Sequence, residues 1–252
     1  MNLQCIKLYG ERNCGTNYLE QLIRRNLTAT LLPGTAPAWL RRRFRHHPRL
    51  REQVIDAYFF MTFGCNLGWK HMLAPDVARL ERSICPLGQT FFLFLVKNPY
   101  AWLLSLHRHP YHHPHPAGDF DAFIRAAWPT LGRENHARRP FLNPVVMWNL
   151  KNASYLRLAR EAGGQIVRYE DLVADPDAVI HAIARAGGIK RKSDIFVNVE
   201  DSVKGEENRD FAFYRAYYLE ERWRAELSSS AIQFINQHLD KTLLGDLRYH
   251  ML

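Results

Sequence analysis

The chain opens with a short apolar run at 5–8 that leads into a loop bounded by Gly10 and Gly15. After the loop, apolar residues recur at helical spacing, at Leu19, Leu22, Ile23 and Leu27. This pattern predicts a strand, a glycine-bounded loop and a helix. Such an arrangement directs backbone N–H groups and a helix N-terminus at a phosphate.

Strands and helices alternate along the rest of the chain. The continuous apolar run at 91–96 is typical of a strand buried on both faces of a parallel sheet. Further strands are predicted at 28–32, 66–71 and 165–169, and an extended segment at 195–199. Helices are predicted at 75–82, 119–128, 144–162, 176–186, 211–227 and 229–239, whereas 54–63 fits either a helix or a strand. We expect an α/β fold, a doubly wound and mostly parallel sheet flanked by helices, in one domain over 1–252 with a basic insertion at about 35–53.

Polar residues follow the predicted strands: the loop at 10–17, Lys70-His71, Lys97-Asn98 and Tyr169-Glu170-Asp171. In doubly wound sheets ligands bind beyond the carboxyl ends of the strands. We therefore expect these side chains to share one site. Glu170 and Asp171 also suit the first turn of a helix, where negative charge is favourable, and that structural interpretation is preferred for them.

The loop at 10–15 lacks the lysine with which P-loop nucleoside triphosphatases contact the β- and γ-phosphates. A P-loop continues Gly-Lys-Ser/Thr, whereas Thr16 and Asn17 follow Gly15 here. This difference argues against hydrolysis of ATP or GTP and leaves an anion-binding loop.

The charge balance favours anionic partners. The chain has 34 Lys and Arg against 25 Asp and Glu, a net charge of +9. The basic segment at 35–51 is interpreted as a solvated insertion or helix face, or as a contact to an acidic acceptor or membrane headgroups. No nucleic-acid partner is expected, because the other basic residues are scattered and no nucleic-acid motif is present.

The cysteines at 5, 14, 65 and 85 show neither disulfide nor metal-ligand spacing, which favours a reducing compartment. No signal-peptide pattern and no apolar run of membrane-spanning length is present, so a cytoplasmic location is expected. The histidine-rich run at 107–115 fits a loop, beside the acceptor or simply on the surface, better than a metal site, because its prolines prevent a helical ligand face. No metal is expected.

Two segments resemble motifs of the sulfotransferases that use 3'-phosphoadenosine 5'-phosphosulfate (PAPS). The loop at 10–18 resembles their 5'-phosphosulfate loop, and the segment at 96–105 resembles their 3'-phosphate motif, Arg-Asn-Pro with a later serine. The segment at 168–172, Arg-Tyr-Glu-Asp-Leu, is a weaker third match. The resemblance implies a P-loop-like α/β fold and PAPS as co-substrate.

The resemblance also assigns binding roles. Residues expected to bind the nucleotide are Arg12, Asn13, Cys14, Gly15, Thr16, Asn17, Lys97, Ser105, Tyr169, Lys204 and Gly205. Lys97 and Ser105 would hold the 3'-phosphate, provided that the turn between strand and helix bends back, and Tyr169 would lie against the adenine. Lys204-Gly205 is similar to a late Lys-Gly segment of the family.

Two positions depart from the family pattern. Asn13 stands where members of the family carry a basic residue. Stabilising the charge on the bridging oxygen would then be the role of Arg12 or Lys70. Lys97 replaces the usual arginine and gives up bidentate geometry.

The expected activity is transfer of a sulfuryl group from PAPS to a hydroxyl or amine. The candidate acceptor molecules are a glycan and other acidic compounds. His71 is the candidate general base because imidazole titrates near neutrality, and Lys70 and Arg12 are candidate catalytic cations. His71 could equally be a structural residue at a strand end. The aromatic cluster at 211–223 fits helix core better than an acceptor-stacking surface. The alternatives are a relative that binds the nucleotide without transfer and a basic module that binds anionic surfaces or nucleic acid.

Overall fold

The computed structural model describes residues 4–85, 87–111, 118–135, 139–200 and 210–252. In these residues a four-stranded, entirely parallel sheet has the order β2-β1-β3-β4. Its strands are β1 (Cys5–Gly10), β2 (Thr30–Leu31), β3 (Thr90–Val96) and β4 (Gly164–Arg168). The expected α/β class and parallel sheet are confirmed.

Helices cover both faces of this sheet. The first group is α1 (Thr16–Asn26), α2 (Ala38–Arg43), α3 (Pro48–Met61), α4 (Phe63–Asn66), α5 (Val77–Glu81), α6 (Pro99–Arg108) and α7 (Phe120–Arg125). The second group is α8 (Pro144–Ala162), α9 (Tyr169–Ala174), α10 (Pro176–Ala186), α11 (Phe211–Leu219), α12 (Ser229–His238) and α13 (Lys241–Asp246). Short 3-10 helices lie at Leu87–Gln89 and Arg222–Glu226.

The connections explain why a cleft forms at one edge of the sheet. From β1 the chain passes through α1 to β2 on one side, and then returns through α2 to α5 to β3 on the other side of β1. The carboxyl ends of β1 and β3 therefore lie at the point where the strand order reverses, the usual position of a ligand in such sheets. Gly10 ends β1 there, and a Cβ atom on it would lie 2.8 Å from the carbonyl oxygen of Leu95.

The prediction of a strand at 66–71 is wrong. Leu67 and Gly68 have left-handed backbone conformations, with φ of 59° and 87°, which end α4 and cannot continue a strand. The segment still runs beside β1, because the Gly10 N–H donates to the Lys70 carbonyl at 2.9 Å. Lys70 and His71 consequently reach the sheet edge as expected, although in a loop.

Other boundaries also differ from the sequence predictions. The ambiguous segment at 54–63 falls mostly in a helix, α3, and much of the basic segment lies in α2 and α3. The segment at 195–199, expected to be extended, lies in a loop outside the sheet and is held by hydrogen bonds between Asn26 and Val197. The helix expected at 211–227 is divided into α11 and a 3-10 helix, and α13 was not predicted.

No helix among the described residues is long and apolar enough to cross a membrane.

Candidate nucleotide site

A pocket opens where β1 and β3 end. The residues expected to form a site largely meet there: the loop after β1, the segment at 70–71, Lys97 after β3 and Tyr169 after β4. Further walls come from Thr35, Val173, Val199 and α11. The lining residues include Arg12, Asn13, Gly15, Thr16, Asn17, Lys70, His71, Lys97, Tyr169 and Tyr218.

The loop after β1 presents a helix N-terminus to the pocket. Asn13 and Gly15 have φ of 64° and 86°, and Gly15 is the N-cap of α1 without a side-chain hydrogen bond to cap the helix. The first N–H groups of a helix have no intrahelical acceptor, so those of the first turn of α1, which begins with Thr16 and Asn17, are free to bind an anion. A Cβ atom on Gly15 would come within 2.5 Å of the Tyr169 ring, so this position requires glycine.

Cys14 contributes its backbone rather than its thiol. The side chain is buried behind the loop, and burial raises the pKa of the thiol well above its usual value. The Cys14 N–H donates to the carbonyl of Glu11 at 3.2 Å, which tightens the turn. Its expected place in the loop is therefore observed, without a reactive thiolate.

Lys97 and Ser105 meet although Ser105 lies two turns into α6. Asn98 caps α6 by accepting from the Tyr100 N–H at 3.0 Å, and this turn brings Lys97 Nζ within 3.1 Å of Ser105 Oγ. Tyr218 of α11 completes the cluster, with its hydroxyl 2.6 Å from Lys97 Nζ and 3.3 Å from Ser105 Oγ. Burial lowers the pKa of Lys97 to about 7, so an incoming anion would meet an amine that is partly neutral.

Lys70 reaches the other side of the loop. Its Nζ donates to Asn17 Oδ1 at 2.7 Å and to Glu20 Oε1 at 3.0 Å, and the side chain is almost fully buried. Burial lowers its pKa, against the opposing effect of Glu20. The cation is thus fixed beside the first turn of α1.

His71 has a defined tautomer. Nδ1 lies 2.5 Å from the Gly10 carbonyl, which can only accept, so Nδ1 carries the proton and Nε2 is the acceptor. Burial, together with the charges of Lys70 and Arg12, holds the pKa of His71 well below its usual value. The ring is therefore neutral at physiological pH, as a general base must be before it accepts a proton.

Arg12 lines the pocket, but its charge is already paired. The guanidinium donates to both carboxylate oxygens of Glu134, at 3.0 and 3.3 Å, and stacks on Trp69. Lys151 of α8 pairs with Glu11 and Glu134, so two acids and two bases form one buried cluster. Burial alone would raise the pKa of Glu134, but Arg12 and Lys151 hold it well below its usual range.

We name Glu11, Arg12, Glu134 and Lys151 the charge quartet. Lys151 Nζ also donates to the carbonyl of His71 at 2.7 Å. The quartet thereby joins the loop after β1, the segment carrying His71, the turn at 131–135 and α8. Arg12 thus fixes the loop through Glu134 while it also lines the pocket.

Sequence reasoning missed Tyr218 as a pocket residue. The aromatic cluster at 211–223 divides in the structure: Phe211, Tyr214 and Tyr218 of α11 line the pocket, whereas Trp223 of the 3-10 helix is buried and stacks on Tyr100. Tyr218 and Lys97 are 121 residues apart, and no local pattern indicates their contact.

Some predicted residues lie outside the described part of the chain. Lys204 and Gly205 fall there, as do residues 112–115 of the histidine-rich run. His107 packs on Phe120 and Phe123, and the His109 carbonyl accepts from Asn13 Nδ2 at 3.3 Å. Over the described ranges, no group of three His, Cys, Asp or Glu side chains is placed to hold a metal ion. Glu170 accepts from the Asn98 N–H at 2.9 Å and from Tyr249, which agrees with a structural role.

The sequence matches no protein-family model and no curated protein. Among solved structures, the chain is similar to the sulfotransferase domain from the Synechococcus PCC 7002 olefin synthase, with 16% sequence identity and a TM-score of 0.48. The alignment covers 99% of this chain and 95% of that one. At this level of similarity, an activity has to be inferred from the side chains of the pocket.

Proposed function

We propose that the protein is a PAPS-dependent sulfotransferase, which moves a sulfuryl group to a hydroxyl or amine of an acceptor. The observation that carries the proposal is that two groups suited to bind anions lie in and beside one pocket. One is the uncapped N-terminus of α1 behind Gly15; the other is Lys97 with Ser105. A nucleotide phosphorylated at both its 5' and 3' positions requires such a pair.

The residues divide between the two ends of this nucleotide. N–H groups of 15–17 and the side chains of Thr16 and Asn17 would hold the 5'-phosphosulfate, with Asn13 and Cys14 shaping the loop. Lys97 and Ser105 would hold the 3'-phosphate. Tyr169, whose ring contacts Gly15 and lies 4.8 Å from Lys97 Nζ, stands between the two ends where a base can stack.

In the reaction, an acceptor oxygen or nitrogen attacks sulfur while the bond from sulfur to the bridging oxygen breaks. Charge then develops on the leaving phosphate, and Lys70, which Asn17 and Glu20 hold beside the first turn of α1, is the cation assigned to it; Arg12 is bound by both oxygens of Glu134. His71 would receive the acceptor proton on Nε2, because Nδ1 is committed to Gly10. No step in this scheme uses a metal. We place the activity in the cytoplasm, and acceptors with acidic groups are favoured by the net charge of +9.

The test is to combine the protein with PAPS carrying labelled sulfate and a panel of glycan, lipid and phenolic acceptors. Transfer of label, together with a heat-stability increase caused by 3'-phosphoadenosine 5'-phosphate (PAP), is the expected result. Absence of stabilisation by PAP would refute nucleotide binding altogether.

A second candidate is a relative that binds the nucleotide without transferring sulfate. It is favoured because both cations beside the loop already pair with carboxylates, Arg12 with Glu134 and Lys70 with Glu20. Stabilisation by PAP without transfer to any acceptor would select this candidate. Binding of polyanions without binding of PAP would instead select a basic module for anionic surfaces.

A further inference from the structure

The outward side of α3 carries several exposed apolar residues, with the polar Gln53 among them. The inward face is fixed by buried Ile55 and Phe59 and by two acids, Glu52 and Asp56, that pair with Arg133. These contacts leave the opposite side of the helix to solvent. A solvent-facing side of a helix is ordinarily charged or polar.

Exposed apolar residues on this outward side recur at helical spacing, at Leu50, Ala57, Phe60 and Met61, whereas Val54 is half-buried against the core. Phe60 and Met61 are 76% and 75% exposed. Ile84, which is 81% exposed, lies beside α4, the short helix that follows α3, because a Cβ atom built on Gly64 of α4 would be 3.9 Å from its side chain. We name Leu50, Ala57, Phe60, Met61 and Ile84 the apolar stripe.

A group of exposed arginines adjoins the stripe. Arg41, Arg42, Arg43, Arg45 and Arg49 lie on α2, on the turn after it and at the start of α3, and α2 packs on α3. None of these arginines forms an ion pair with a carboxylate of the described residues, and the segment 35–51 contains no Asp or Glu. We name them the arginine group.

We propose that the apolar stripe and the arginine group together bind the surface of an anionic lipid bilayer. An interfacial helix places Phe, Leu and Met among the acyl chains while Arg contacts the headgroups, and clusters of four to eight basic residues on such helices are typical of binding to anionic lipid. The exposed Trp39 of α2 adds a side chain suited to the same interface. Neither feature alone indicates a membrane: arginines alone suit any polyanion, and an apolar stripe alone suits a second copy of the chain.

The experiment is sedimentation of the full chain with vesicles of phosphatidylcholine alone or with roughly a third phosphatidylserine. We expect binding only to the vesicles with phosphatidylserine, and weakening of that binding by salt, which screens headgroup attraction. Failure of the wild-type chain to bind these vesicles would overturn the proposal.

Two sets of substitutions separate the contributions. Arg41→Glu, Arg42→Glu and Arg43→Glu together should weaken vesicle binding at least about a hundredfold, at about 1 kcal/mol for each charge lost. The matched control changes the same charge on exposed residues elsewhere, Arg185→Glu, Lys190→Glu and Lys241→Glu, and should bind within about threefold of the wild type.

Phe60→Ser with Met61→Ser should weaken binding to the vesicles at least about tenfold, because apolar area no longer enters the bilayer. Ile195→Ser with Leu142→Ser removes apolar side chains of similar exposure outside the stripe and should have little effect. Retention on immobilised heparin should fall for the arginine variant alone.

Two results would contradict the proposal. If Phe60→Ser with Met61→Ser binds vesicles as the wild type does, the arginines form a general polyanion site. If light scattering shows a dimer of the wild type that these substitutions abolish, the stripe is an interface between copies. The proposal stands independently of the sulfotransferase activity, since neither readout depends on turnover.

Discussion

Lys97 is the residue whose ionisation should govern nucleotide affinity. Its pKa of about 7 in the free protein lies below the usual value because the side chain is buried, so the folded protein binds fewer protons there than the unfolded chain. A bound 3'-phosphate favours the charged amine and raises that pKa. Binding should therefore take up a proton above pH 7, and affinity for PAP should fall as pH rises further.

Calorimetry of PAP binding at about pH 8 in buffers of different ionisation enthalpy measures this uptake, since the phosphate is already dianionic there. Lys97→Met should lose about tenfold to a hundredfold in affinity and abolish the uptake. Lys97→Arg keeps a permanent charge, so its affinity should not vary over this pH range. Uptake by the Lys97→Met variant equal to that of the wild type would exclude Lys97.

His71 is predicted to act on turnover rather than on nucleotide binding. His71→Ala should lower kcat by about a hundredfold to ten-thousandfold, the usual contribution of a general base, while the Kd for PAP stays close to that of the wild type. Because the pKa of His71 is held low, loss of activity through its protonation should begin only well below its usual titration range. An unchanged kcat would remove His71 as the base.

Gly15 is predicted to tolerate no side chain. Gly15→Ala must adopt a φ of 86° and place a methyl group 2.5 Å from the Tyr169 ring, so it should cost about 1–3 kcal/mol and weaken PAP binding. Gly245→Ala is the control, because a Cβ in α13 meets nothing within 4 Å and alanine favours helix there. Urea unfolding measures both changes, and equal stability of Gly15→Ala and the wild type would contradict the assigned strain.

At the scale of the element, most strands and helices were predictable, because each is specified by local periodicity. The run at 91–96 and the helices at 144–162 and 176–186 are found at or within a residue of their expected bounds. The conformation of the segment at 66–71 was not predictable. Its residue pattern suits a strand, but Leu67 and Gly68 adopt left-handed backbone conformations that a strand does not allow. The outward direction of α3 was also hidden, since it depends on Arg133, far along the chain.

The order of the strands brought the site together as expected, but the partners within it were not predictable. The contact between Lys97 and Ser105 follows from the tight turn between β3 and α6. Two other contacts join elements that are distant in the chain and could not be predicted. Arg12 pairs with Glu134, and Tyr218 of α11 reaches Lys97.

Tyr218 makes α11 part of the proposed 3'-phosphate site. Tyr218→Phe keeps the ring, which packs on Tyr169, but removes the hydroxyl that touches Lys97 and Ser105. We expect PAP affinity to fall about threefold to tenfold, the loss of one hydrogen bond to a charged site. Tyr217→Phe, whose hydroxyl contacts Arg108 and Glu226 instead, is the control. Equal PAP affinities of the two variants, measured by titration, would contradict a role for the Tyr218 hydroxyl.

At the scale of the whole molecule, the charge quartet should dominate the response to single substitutions. Lys151→Met leaves two buried carboxylates facing one cation and should destabilise the fold by about 3–5 kcal/mol. Adding Glu11→Gln restores neutrality, so the double variant should be more stable than the sum of the two single changes predicts. Urea unfolding of the wild type and the three variants measures this coupling, and simple additivity would contradict it.

The quartet also bears on how this chain can change over generations. The two positive and two negative side chains of the quartet balance one another. A single substitution that removes one of these charges therefore leaves another buried charge without a partner. Related sequences should therefore keep all four positions or replace them jointly, for instance by two apolar residues where a pair stood. Arg12, which departs from the expected pattern of its loop by one position, would then be inherited with Glu134 and Lys151 rather than with the nucleotide-binding residues beside it.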